Sequence, residues 1–157
     1  MHEEYQQLYR AAQSNATDLL AEARILFEKG RYARAFFLAF TSLEEIAKSQ
    51  FAADVCTGFI TEKEFLESTR RHPNKRGRMV WATEEARRYL DMDSQHPDIN
   101  SCANALYASL KGKTIHNPSD AMTKEDAQGI IRTVEVALDS ITTNDFMGYA
   151  IGSKGFI

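Results

Sequence analysis

A chain of 157 residues is long enough for one compact domain and too short for two ordinary ones. Its hydrophobic fraction of 43% and charged fraction of 26% exclude a disordered chain, and a net charge of −3 excludes general attraction to nucleic acid, so any anion site must be local. With only Cys56 and Cys102, no Cys-x-x-Cys spacing and histidines scattered at positions 2, 72, 96 and 116, neither a disulfide framework nor a zinc site is expected.

Only 3 prolines and 8 glycines occur, several of them between periodic segments, which predicts an all-α protein of helices joined by short turns. Leu8, Ala11, Ala12, Leu19, Leu20, Ala23, Leu26 and Phe27 recur at spacings of three, four and seven, so a first helix is predicted from Glu3 to Lys29. Gly30 suits the left-handed residue that ends it, and a second helix follows from Tyr32 to Cys56, closed by Thr57-Gly58. Two arms of similar length make an antiparallel helical hairpin the economical arrangement.

Thr61 and Glu64 read as a capping box that opens a short helix to Thr69. A basic turn from Arg70 to Arg78 then breaks the pattern, and Met79 to Met92 looks helical again. Asp93 to Pro97 is a polar link, Asp98 to Leu110 a fifth helix, and Gly112 to Ser119 a loop. Thr123 caps a last helix from Lys124 to Thr142. The predicted domain is residues 1–143. The tail, 144–157, mixes glycine with apolar groups and either frays or docks through Phe156 and Ile157.

The second helix carries polar groups inside a strongly apolar run. Phe36, Phe40, Leu43, Ala47 and Phe51 form one stripe, and Ala35, Ala39, Ser42, Ile46 and Ala53 a second, smaller one that permits close helix approach. Glu44 falls at the border of the aromatic stripe beside Phe37 and Phe51. One reading is a surface pair from Glu44 to Lys48. The other is a partly desolvated carboxylate placed to orient a catalytic group from a neighbouring helix.

The basic turn holds Arg70, Arg71, Lys75, Arg76 and Arg78 together with His72, in a chain that is otherwise acidic. These cations suit phosphates, and Trp81 and Tyr89 offer surfaces for base stacking, so RNA is the anionic partner expected. A solvated loop paired with Glu62, Glu64, Glu67, Glu84 and Glu85 is the plainer account. His72 and Lys75, three apart, can supply a proton-transfer group and a fixed cation to one phosphodiester in metal-free cleavage. His116, five residues beyond Lys111, is the competing histidine.

Taken together, Asn15-Ala16 with Leu19-Leu20, Gly30-Arg31-Tyr32, Ala35, Leu38-Ala39, the run Ser42-Leu43-Glu44-Glu45-Ile46-Ala47-Lys48, His72-x-x-Lys75 and Ala105-Leu106-Tyr107 resemble the AbiV family of bacterial phage abortive-infection proteins, within the HEPN superfamily. The likeness covers roughly residues 15 to 138. It implies a helical bundle on a long antiparallel hairpin, commonly dimeric, in a superfamily with many metal-independent endoribonucleases. Position by position it places Glu44, Glu45, Lys48, His72 and Lys75 in the site. Typical HEPN nucleases carry an Arg, four to six arbitrary residues, then a His; Lys111 and His116, with four residues between them, are the nearest match, and Lys offers a point charge where Arg offers a planar fork. Two readings stay open: the catalytic role has moved to His72, or the chain no longer cuts RNA.

The expectation is therefore a homodimer in anti-phage defence acting on RNA or the translation apparatus. His72 would act as general acid or base, Lys75 with Arg71 or Arg76 would neutralise phosphate, and Glu44 or Glu45 would orient the histidine or Lys48. Arg70, Arg78 and Lys111 would add RNA contacts, and His116 remains a second candidate. No cofactor or metal is expected. A different class of function is a non-catalytic module that recognises a phage-encoded or partner protein. A nucleotide-binding bundle has little support, because no glycine-rich phosphate loop follows a strand. No apolar run reaches the roughly 20 residues of a bilayer span, and the start Met-His-Glu-Glu-Tyr lacks the marks of a signal peptide, so no membrane association and a cytoplasmic location are expected.

Overall fold

The computed structural model describes residues 3–70 and 99–146, with the side chains of 99–102 and 140–146 excepted. Helix α1 spans Glu3–Glu28 and α2 spans Tyr32–Cys56, and the two pack along their length as an antiparallel pair. Gly30 makes the reversal at φ 71°, in the left-handed region where a Cβ is strained, while its N–H and that of Arg31 close the last turn of α1 on Phe27 and Leu26.

Helix α2 is the centre of the molecule. Sixteen of its 25 residues are buried, on nearly every side, because α1, α3 (Glu62–Thr69), α4 (Ile99–Leu106), α5 (Pro118–Ala121) and α6 (Lys124–Phe146) all pack against it. Phe36, Phe40, Leu43 and Ala47 fill the core as their spacing predicts, and so do Ala35, Ala39, Ser42, Ile46 and Ala53. Phe51 is only half-buried. On α1 the inward residues are Tyr9, Ala12, Ala16, Leu20 and Ala23; Ala11, expected inside, is exposed. Small side chains thus line both helices where they meet, and the Ser42 hydroxyl reaches across to the Ala16 carbonyl at 2.7 Å.

The capping box at Thr61 is formed: the Thr61 Oγ1 accepts from the Glu64 N–H at 3.2 Å, and the Glu64 carboxylate accepts from the Thr61 N–H at 2.7 Å. Thr123 caps α6 in the same reciprocal way with Asp126. That helix continues to Phe146, past the expected end at Thr142, and so runs into the first residues assigned to the tail. The predicted helix Met79 to Met92, the basic turn from Arg71 onward and residues 147–157 lie outside the described residues.

The largest departure from expectation is between positions 107 and 121. The fifth helix ends at Leu106 rather than Leu110, and an antiparallel hairpin follows, β1 (Ser109–Lys111) and β2 (Thr114–His116). Ser-Leu-Lys and Thr-Ile-His each alternate polar and apolar, and Gly112-Lys113 between them makes a two-residue turn with only the glycine at positive φ, 62°. A glycine at the first turn position matches the twist of flanking strands, which is the signal that a helical reading of this stretch passes over. The expected loop from Gly112 to Ser119 therefore consists of that turn, β2 and the start of α5, which Asn117 caps through a bond from the Ser119 N–H.

Candidate functional site

The α2 group departs from a simple surface pair. Glu44 lies about 160° around the helix from Ser42, on the side away from α1, and is only 6% exposed. Lys48 is salt-bridged to Glu45 rather than to Glu44, and both members of that pair are largely shielded. Residues three and four apart are equally reachable on a helix, and here the ammonium takes the carboxylate three residues back. Glu44, Glu45 and Lys48 are thus buried or largely shielded.

Sequence reasoning missed two polar groups on the same helix. Gln50 and Asp54 are buried at i, i+4, and the Gln50 Nε2 has no hydrogen-bond partner among the described residues. The Asp54 carbonyl oxygen gathers the chain as it leaves α2, accepting from the Phe59 N–H at 2.8 Å and the Thr57 hydroxyl at 3.1 Å. Their signal was available, since at 100° per residue both fall on the arc already assigned to Leu43 and Ala47. Burial pushes the Cys56 thiol up, with the Glu4 carboxylate adding to the effect, which disfavours the reactive thiolate.

The predicted basic site is divided. Arg70 is exposed at the end of α3. His72, Lys75, Arg71, Arg76 and Arg78 lie outside the described residues, and so does the question of whether the basic turn meets α2. Lys111 and His116 are both described and exposed, and the hairpin brings them together. With Lys111 opposite Thr114 and Ser109 opposite His116, period-two alternation puts all four on one face. Such diagonal neighbours are about 7–8 Å apart. On a continuous helix, the same five-residue separation would have turned the two side chains about 140° from each other.

This face can engage one phosphodiester. An ammonium and an imidazole within one phosphate's reach, both open to solvent, supply a positive charge for the nonbridging oxygens and a proton-transfer group. Among the described residues no group of three or more His, Cys, Asp or Glu side chains is placed to hold a metal ion. No described helix is long and apolar enough to cross a membrane.

Against known proteins, the sequence pattern of the HEPN-type AbiV family matches residues 4–139. No curated protein and no solved structure matches the chain.

Proposed function

We propose, from the premise that this chain belongs to the AbiV family of HEPN-type abortive-infection proteins, that it acts on RNA as a metal-independent endoribonuclease through the Lys111 and His116 face of the hairpin. The observation that carries this reading is the register that sets these two side chains diagonally across one exposed face. In the reaction, His116 takes the proton of a ribose 2′-hydroxyl as that oxygen bonds to the adjacent phosphorus. The bond from phosphorus to the 5′-oxygen breaks, a protonated group returns a proton to that oxygen, and a 2′,3′-cyclic phosphate and a 5′-hydroxyl result. Lys111 stabilises the charge that builds on the nonbridging oxygens.

The test is incubation of the purified protein with total RNA in EDTA, comparing wild type with His116→Ala and His72→Ala. Cleavage lost in His116→Ala and retained in His72→Ala is the expected result. The reverse moves the site to the basic turn with His72 and Lys75.

A second reading, a non-catalytic module that binds a phage-encoded or partner protein, draws on a different observation. Glu44 is buried and Glu45 pairs with Lys48, as members of a structural polar cluster would be. Absence of cleavage by wild type at any protein concentration would select it.

A further inference from the structure

On the face that Lys111 and His116 share, one polar atom is shut off from water. The Ser109 Oγ is shielded and has no hydrogen-bond partner among the described residues, although Leu110, Lys111 and all three residues of β2 are exposed. A shielded hydroxyl left unbonded is costly, and groups of this kind recur where a site is held ready for another component.

The register says which side chain can reach it. Ser109 stands directly opposite His116. Residues so paired have Cβ atoms about 4.5–5.5 Å apart, a gap that a hydroxyl on one side and a ring nitrogen on the other can close to a hydrogen bond of about 3 Å. Thr114 lies on the diagonal, about 7–8 Å away. Lys111 is a donor only and cannot accept from an imidazole. The groups that more often orient a histidine are lacking in this segment. From Tyr107 to Ser119 there is no carboxylate, and the Asn117 side-chain oxygen already accepts from the Ser119 N–H.

We infer, resting on the RNA reading above, that Ser109 is the positioning residue of His116: when RNA binds, the Ser109 Oγ accepts the imidazole Nδ1–H and so leaves Nε2 bare toward the ribose 2′-hydroxyl. An uncharged imidazole carries one N–H, and the hydrogen bond made by one nitrogen decides which of the two holds it. Only the bare nitrogen can take the proton of the 2′-hydroxyl. As Nε2 takes it, Nδ1–H stays on the Ser109 Oγ, and no proton passes to the serine. Catalytic hydrogen bonds are often open without substrate and tighten when it binds, which accords with an Oγ that is unbonded here. Shielded as it is, this hydroxyl does not touch RNA, so its effect runs through the histidine.

Nitrogen-15 NMR of the full chain, labelled at histidine and mixed with a 2′-deoxy oligonucleotide that lacks the attacking hydroxyl, tests it. The His116 signals are assigned by their loss in His116→Gln, and cleavage of the matching RNA in EDTA is followed alongside. In wild type the bound, uncharged His116 ring is expected to carry its proton on Nδ1. Ser109→Ala moves that proton to Nε2 and lowers kcat roughly tenfold to a hundredfold with KM little changed, the scale on which histidines lose function without their orienting partner. Ser109→Thr, which keeps the hydroxyl, restores both, and Thr114→Val alters neither. A proton on Nε2 in bound wild type overturns the inference, as does a His116 ring indifferent to the oligonucleotide or to Ser109→Ala. Cleavage that falls in Ser109→Ala only in step with a lower melting temperature, the ring signals unmoved, assigns the serine a structural role and overturns it too. A Ser109-dependent Nδ1 proton in a chain that cleaves no RNA supports the contact and fails the nuclease reading alone.

Discussion

The Ser42 hydroxyl donates to the Ala16 carbonyl oxygen at 2.7 Å, joining the two long helices where each presents only small side chains. This bond lies in the completely buried seam formed by Ala16, Ala35, Ala39 and Ser42, so both its partners are shielded from water. A hydroxyl at this position is compatible with close backbone approach, and a longer side chain is not.

Ser42→Ala keeps the volume and loses the hydrogen bond, at a cost of about 1 kcal/mol. Ser42→Leu overpacks the seam and is expected to cost more, about 1–3 kcal/mol. Urea unfolding of both variants checks the order, and equal losses would mean that the seam is looser than the burial of its residues indicates.

Phe40 is buried in the core on the other side of α2, its ring against that of Phe36. Phe40→Ala leaves a cavity there and should destabilise by about 3–5 kcal/mol. A shift of under about 1 kcal/mol in the same assay would place the aromatic stripe on a solvent-facing side.

Gln50 is the opposite case. Its Nε2 is enclosed without a hydrogen-bond acceptor among the described residues, so the amide carries a desolvation cost that none of them offsets. Gln50→Met, similar in length and apolar, should leave stability unchanged or raise it by up to about 1 kcal/mol. A loss of about 2 kcal/mol or more would show that the amide has a partner in solution.

At the start of α3, hydrogen bonds from the Thr61 backbone N–H and then its hydroxyl hold the Glu64 carboxyl below the usual carboxylate range. The folded value being the lower one, the support this gives α3 is fully present above the ordinary carboxylate pKa and is lost as pH falls through the depressed value. NMR titration of Glu64 should show that depression, and Thr61→Ala should relieve it only in part because the backbone N–H remains. The same substitution removes the cap and costs about 1 kcal/mol near neutral pH.

The candidate site was legible in its residues but not in its arrangement. Lys111 and His116 stand out by type and spacing, yet their sharing a face follows from strand register and the turn at Gly112, not from a five-residue interval. Glu44, Glu45 and Lys48 stand out in the same way, and spacing alone left the pairing open, because three-apart and four-apart carboxylates are equally near an ammonium on one helix.

What the amino-acid sequence determined by itself was whatever depends on neighbours within a turn or two: the periods of α1 and α2, the glycine reversal between them, and the Thr61 and Thr123 caps. These are short-range effects of backbone geometry and local hydrogen bonding, so a linear reading captures them. Only the tertiary structure decided that α2 is buried nearly all round and that the Glu44 side is closed to solvent. Burial is a property of what other segments cover, so a linear reading of spacing and residue type does not fix it.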